Sequence, residues 1–226
     1  MYEAIVFDND GVLVRPDHLE RHRAAVRRAF GVHGAEEPAA EDVEAMALSV
    51  TLPELRRVAR RYDLDPESFW ETRDRLSSAA QVAGVADGLK RPYDDTAVLH
   101  EVDLPMAVVS TNQQPTLEFL LDRHGLADRF VSVHGRSPTV ADLVRKKPSP
   151  YFVTRAMGDI ERARGDGPLD PERVLMVGDS ESDVRAAQAA GADAAFLRRE
   201  HRTDYDLPVE PDHELAGLHE LPGLLG

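Results

Sequence analysis

The segment IVFDNDGVLV, residues 5–14, closes an apolar run with two carboxylates and a glycine. The run is short and continuous rather than alternating, the pattern of a parallel strand buried on both faces. On extended backbone the side chains at i and i+2 point the same way, so Asp8 and Asp10 face one small volume. Two like charges at close range raise each other's pKa. A cation beside them removes the conflict, and Mg2+ suits the place because it takes one or two carboxylates together with substrate phosphate. A plain turn is the other reading, since Asn-Asp and Asp-Gly are common turn pairs.

Three further runs have the same character: MAVV (106–109), RFVSV (129–133) and RVLMV (173–177), with a weaker fifth, AAFL (194–197). Helical stretches lie between them. TLEFLLDRHG (116–125) puts Leu117, Leu120 and Leu121 on one face and stops at Gly125. SPYFVTRAM (149–157) opens with Ser149 as N-cap and Pro150 at the first helical position. ESDVRAAQAAG (181–191) ends on Gly191, and PDHELAGLHELPGLL at the C-terminus reads as a closing helix. Strand–helix alternation predicts an α/β domain with a Rossmann-like, mostly parallel sheet. The first crossover is the exception. Residues 17–83 carry helical patterns with no strand signal: HLERHRAAVRRAF ending at Gly31, EDVEAMAL, PELRRVARRY, and a longer helix opening at Asp65-Pro66. The expected organisation is a core of residues 1–14 and 88–226 with a helical insertion at 15–87.

Composition narrows the function. The 226 residues are 42% hydrophobic and 30% charged, as in globular domains. No apolar stretch approaches the roughly 20 residues that span a bilayer. There are no cysteines, which excludes disulfides and thiolate chemistry. That absence, and the lack of a basic segment before the first apolar run, predict a cytoplasmic chain. The net charge of −14 disfavours nucleic acid and anionic membranes as partners. Lysine stands only at 90, 146 and 147 among 27 basic residues. Acid surplus with so little lysine matches a halophilic protein, with arginine-rich codon usage as the alternative.

In a parallel sheet the carboxyl ends of the strands form the ligand-binding edge. Asp8 and Asp10 follow the first strand. Ser110, Thr111 and Asn112 follow the second, where they either cap the next helix or hold a phosphate at its start. Lys146-Lys147-Pro148-Ser149-Pro150 precedes a helix, and proline fixes the direction of the lysine before it; a solvated basic loop is the alternative. Asp179 and Asp183 follow the fourth strand. Asp183 also suits a capping box with Ser180. Acids, hydroxyl and lysine at one edge describe magnesium-assisted phosphoryl transfer.

With these residues the chain resembles the haloacid dehalogenase superfamily. FDNDGVL, VVST, KKPSP and VGDSESD are similar to its four motifs, in order, and the likeness runs from residue 5 to about 197. The resemblance implies a Rossmann-like core with 15–87 as a C1-type helical cap, and PYDDTAVLHEV (92–102) as the return to the core. It implies Asp8 as nucleophile forming an aspartyl-phosphate, and Asp10 as general acid and then base, its backbone carbonyl also on Mg2+. Ser110 and Lys147 would bind the transferring phosphoryl group. Thr111 competes with Ser110, and Lys146 with Lys147, but only Lys147 directly precedes the proline. Asp179 would ligate Mg2+, with Asp183 direct or through water. The metal set is then Asp8, Asp10, Asp179 and Asp183.

The implied activity is Mg2+-dependent hydrolysis of a small phosphorylated metabolite, in a layout resembling phosphoglycolate phosphatase. A phosphomutase of the β-phosphoglucomutase type is the alternative. A 2-haloacid dehalogenase would lack the second aspartate, which is present as Asp10. Phosphonoacetaldehyde hydrolase depends on a cap lysine, and 15–87 contains none. A receiver-like phospho-signalling module fits poorly with acids split between the first and fourth strands. The cap arginines Arg21, Arg23, Arg27 and Arg28 either meet an anionic substrate or form a solvated helix face.

Overall fold

The computed structural model describes residues 1–225. In chain order its elements are β1 (Ala4–Phe7), α1 (Leu19–Val32), α2 (Ala40–Ala45), α3 (Leu52–Arg61) and α4 (Pro66–Ala86). Then come β2 (Met106–Gln113), α5 (Gln114–Arg123), β3 (Ser132–Arg136), α6 (Val140–Arg145) and α7 (Tyr151–Arg164). The chain closes with β4 (Val174–Gly178), α8 (Glu181–Ala190), β5 (Asp193–Leu197), β6 (His213–Leu215) and α9 (Leu221–Leu225). They divide into two compact units: 1–16, 91–135 and 145 onward in one, 17–90 with 136–144 in the other. The contiguous insertion expected at 15–87 did not include residues 136–144.

The first unit is built on a six-stranded sheet in the order β3-β2-β1-β4-β5-β6. β1 is central and pairs in parallel with β2 (Ile5↔Met106) and β4 (Ile5↔Leu175). β4 continues in parallel to β5, and β5 to β6. All four residues of β1 are buried, and alternate ones serve opposite faces. Ile5 and Phe7 pack with Leu117 and Leu121 of α5 and with Leu218 and Leu221. Ala4 and Val6 pack with Phe152, Val153 and Ile160 of α7 and with Val184 and Ala187 of α8. That two-sided burial is why the strand runs are continuously apolar. From β1 the sheet extends through β2 to β3 on one side and through β4 to β6 on the other. Such a reversal opens a crevice at the carboxyl ends of the central strands.

The second unit is helical. α3 opens with a capping box, the Thr51 N–H donating to Glu54 Oε2 (2.8 Å) and the Glu54 N–H to Thr51 Oγ1 (3.4 Å). α4 opens with Asp65 Oδ1 accepting from the Ser68 N–H (2.8 Å) and Pro66 behind it. Phe30, Met46, Leu55, Val58, Phe69 and Trp70 form its core, joined by Leu143 from the 136–144 segment. That segment is also held by charge. Arg136 makes a two-pronged pair with the buried Asp74, both distances 2.6 Å. Arg73 approaches the same carboxylate at 3.2 Å, and both guanidiniums lie over the Trp70 ring, at 5.2 and 4.9 Å. Burial pulls the Arg73 guanidinium down to about 10, against the pull of Asp74.

Five sequence expectations change. β2 runs on to Gln113, so Ser110, Thr111 and Asn112 end a strand rather than start a helix. The third strand lies at 132–136, not 129–133, because Ala127–Arg129 forms a short helical turn whose Arg129 donates to the Leu99 and Val102 carbonyls. α7 begins at Tyr151 with Pro150 in the cap position. The chain turns first, Ser149 N–H to Lys146 carbonyl at 3.0 Å, so Ser149 stands one residue before the cap position, while its Oγ still accepts from the Tyr151 N–H at 3.3 Å. α1 passes through Gly31 to Val32. The C-terminal segment is not one helix: His213–Leu215 pairs with β5, which sets Leu215 opposite Leu197, and only Leu221–Leu225 is α-helical. No helix among the described residues is long and apolar enough to cross a membrane.

The Asp74 cluster gives a stability prediction. Asp74→Asn leaves two buried guanidiniums without their carboxylate, and breaking a buried pair this way costs about 3–5 kcal/mol. Urea unfolding of the variant should show a clearly lower midpoint; an unchanged midpoint would remove Asp74 from the core of the helical unit.

Candidate active site

Asp8 leaves β1 with its N–H on the Val177 carbonyl of β4 (2.9 Å). The turn that follows is closed by the Asn9 carbonyl, which accepts from the N–H groups of Val12, Leu13 and Val14. Gly11 sits there with φ +88, and a Cβ on it would lie 2.3 Å from Asp179 Oδ2. The opening segment is therefore both a tight turn and a platform for carboxylates. Gly178 has a similar constraint, since its Cβ would fall 2.1 Å from that of Asp183.

Asp8, Asp179 and Asp183 converge, each offering one carboxylate oxygen to a group whose members lie within 4.8 Å of one another. All three side chains are buried. Lys147 reaches into them: its Nζ stands 2.7 Å from Asp8 Oδ1, contacts Asp183 Oδ1, and donates to the Val109 carbonyl at 3.1 Å. Only 2% of the lysine side chain is exposed. Burial pulls its pKa down, but Asp183 and Asp8 outweigh that and hold it charged. For Asp8, burial raises the pKa well above the carboxylate range; Lys147 opposes this, and Asp183 and Asp179 add to it. One ammonium among three buried carboxylates leaves the group short of positive charge. All-oxygen donors with a charge deficit fit a hard divalent cation.

Asp10 stands beside this group rather than in it. Its Oδ2 accepts from Asn112 Nδ2 (3.0 Å) and Asn9 Nδ2 (3.3 Å). The Asn112 amide is oriented by its own Oδ1, which accepts from the Gln113 N–H at 2.9 Å. Ser110 is buried at the strand end, and its Oγ accepts from the Asn112 N–H at 3.1 Å. Thr111 lies between them, half-buried. Asn112, expected at a phosphate, thus has its side chain on Asp10. Asp183 makes the expected capping box, Oδ2 accepting from the Ser180 N–H (3.1 Å) and hydroxyl (2.6 Å), while its Oδ1 faces Lys147.

Among the arginines of α1, Arg21 pairs with Asp87 at 2.8 Å, and Arg23 with Glu20 and Glu44 at 2.5 and 2.6 Å. Arg27 and Arg28 are exposed. Sequence reading passed over two residues at Asp179: His201 Nε2 is 2.6 Å from its Oδ2, and Arg202 Nε donates to the same oxygen at 3.1 Å. The signal was present, because RREHR (198–202) follows β5 at the same end of the sheet as the other loops.

Residues 2–191 match the family model described as haloacid dehalogenase-like hydrolase. A phosphoglycolate phosphatase of Cereibacter sphaeroides is 30% identical over 98% of this chain and 96% of its own length. A pyrophosphatase, PpaX, of Anoxybacillus flavithermus is 27% identical over 98% and 96%. Among solved structures, CbbY from Rhodobacter sphaeroides in complex with phosphate superposes with a TM-score of 0.71 at 24% identity, covering 98% of this chain and 96% of that one. Four motifs gathered at one sheet edge and a family match over most of the sequence lead to one conclusion: the chain belongs to the haloacid dehalogenase-like hydrolases.

Proposed function

We propose that the chain is a Mg2+-dependent phosphatase that hydrolyses a small phosphomonoester of the phosphoglycolate kind through an aspartyl-phosphate on Asp8. The observation that carries this reading is the Lys147 ammonium set between Asp8 and Asp183. Such an ammonium favours the ionised Asp8 that attack needs, against burial and the neighbouring carboxylates, and offers charge to the phosphoryl oxygens as they arrive. The phosphatase and pyrophosphatase relatives, which span nearly the whole chain, support the same class of bond.

In the first step an Asp8 oxygen forms a bond to phosphorus and the bond to the leaving oxygen breaks. Asp10 gives that oxygen its proton. Two amides donate to Asp10 Oδ2 and orient the carboxyl for that transfer. In the second step water attacks phosphorus, Asp10 takes the water proton, and inorganic phosphate leaves with the Asp8 carboxylate restored. Ser110 and Lys147 hold the phosphoryl oxygens, with Thr111 beside them. Asp8, Asp179 and Asp183, with the Asp10 carbonyl, would hold Mg2+, which when bound offsets the charge that these carboxylates and the phosphoryl group bring together.

The test is phosphate release from 2-phosphoglycolate, sugar phosphates, nucleotides and an aryl phosphate, in high KCl, with Mg2+ or EDTA. Release should require Mg2+ and be greatest for 2-phosphoglycolate. Interconversion of sugar phosphates without net release would make the chain a phosphomutase. Asp8→Asn should lower kcat by at least about a thousandfold while the folded signal persists, as nucleophile removal does elsewhere. Asp10→Asn should cost about 100- to 10,000-fold on alkyl phosphates. Its cost on an aryl phosphate, whose leaving group needs no proton, should be far smaller; equal losses on both would remove Asp10 from the proton transfer.

A further inference from the structure

Both protein partners of Asp179 reach the same oxygen. His201 Nε2 lies 2.6 Å from Oδ2 and Arg202 Nε 3.1 Å from it. A third wall is Gly11, where a Cβ would stand 2.3 Å from Oδ2 and 3.0 Å from His201 Nε2. Oδ2 is thus enclosed on three sides, and no hydrogen bond from a described residue engages Oδ1. Asp183 is divided the same way, Oδ2 on Ser180 and Oδ1 toward Lys147.

The loop that carries these donors is firmly placed. Arg199 makes a two-pronged pair with Asp95 (2.6 and 2.9 Å), donates to the Val12 carbonyl of the turn after β1 (2.9 Å), and stacks on Tyr93 at 3.9 Å. Arg198 pairs with Glu214 at 3.0 Å and donates to the Arg202 and Tyr205 carbonyls at 3.1 and 3.0 Å. His201 Nε2 faces a carboxylate oxygen at 2.6 Å and so carries a proton directed at Asp179, while the Tyr93 hydroxyl stands 3.5 Å from Nδ1. Four of the five residues in RREHR therefore act to present two donors to one carboxylate oxygen.

We infer that His201 and Arg202 are positioning residues that limit Asp179 to a single oxygen for the cation, and so select a small six-coordinate cation over a larger one. Ca2+ takes six to eight oxygens in flexible geometry and can use both oxygens of one carboxylate; Mg2+ demands a near-ideal octahedron at short range, which the narrow bite of a two-oxygen carboxylate fits poorly. An Asp179 with one oxygen committed to the protein suits the second and handicaps the first. The inference rests on the cation assigned in the proposed function.

The experiment is calorimetric titration of the full chain with Mg2+ alone and with Ca2+ alone, in KCl and without substrate. It compares wild type, His201→Ala, Arg202→Ala and the double variant. The quantity read is the ratio of the two dissociation constants. Arg202 repels either divalent cation alike, so its charge cancels in the ratio and the geometric restriction remains. The preference for Mg2+ over Ca2+ should fall by about tenfold in the double variant, the low end of what outer partners of a metal ligand contribute. It should fall partway in each single variant. His201→Gln, which keeps an amide donor, should restore most of it. Should the double variant fail to fold, the single variants carry the same test. Unchanged ratios in variants that still bind Mg2+ would overturn the inference and leave the phosphatase reading standing. A wild-type chain that binds neither cation would overturn both.

Discussion

The Lys147 ammonium, buried among carboxylates, is the interaction on which the site depends. It joins three places the chain reaches separately: Asp8 after β1, the Val109 carbonyl in β2, and Asp183 in α8. A buried ammonium alone would lose its proton, and three buried carboxylates alone could not all ionise. Beside Asp8 and Asp183 the ammonium keeps its charge despite burial. One ammonium among three carboxylates leaves an all-oxygen set of the kind that suits a hard cation.

The sheet explains why this chemistry gathers where it does. Its central strands are buried on both faces, with Ile5 and Phe7 serving one core and Ala4 and Val6 the other. No ionisable side chain can be placed along them without a large desolvation cost. Polar groups are confined to the strand ends. At the carboxyl ends of β1 and β4 the strand order reverses, so the loops diverge and leave room for a ligand. The helical unit uses its buried charges differently: Arg73, Asp74 and Arg136 satisfy one another around Trp70 and serve its own packing.

Much of this was legible in the sequence because it depends on local pattern. Continuous apolar runs identified β1, β2, β4 and β5, and capping residues fixed the starts of α4 and α8. The misses depend on partners distant along the chain. β6 is three residues whose strand character comes from pairing with β5, not from propensity. β3 carries Gly135 because the Gln114 backbone lies where a Cβ would go, at 2.7 Å, and that glycine obscured the strand signal. Arg136 reads as a surface charge until Asp74, 62 residues away, is seen opposite it. His201 and Arg202 are hard to read from sequence because strand five is weak and its loop carries an imidazole and guanidiniums, residue types that also suit a solvated surface loop.

Asp183 shows why alternatives drawn from sequence need not exclude each other. An acid three residues after a serine at a helix start suggests a cap, and an acid at a sheet edge suggests a ligand. A carboxylate has two oxygens, and here Oδ2 closes the helix start with Ser180 while Oδ1 meets Lys147, so the cap leaves one oxygen for the sheet edge. The cap is what aims the second oxygen. In Asp179 the protein reaches the same division with different residues, the imidazole and guanidinium of a loop 22 residues on. Structure and site are then not competing uses of an acid. The hydrogen bonds that satisfy the fold hold half of each carboxylate still, and the other half is thereby fixed in direction by the same bonds.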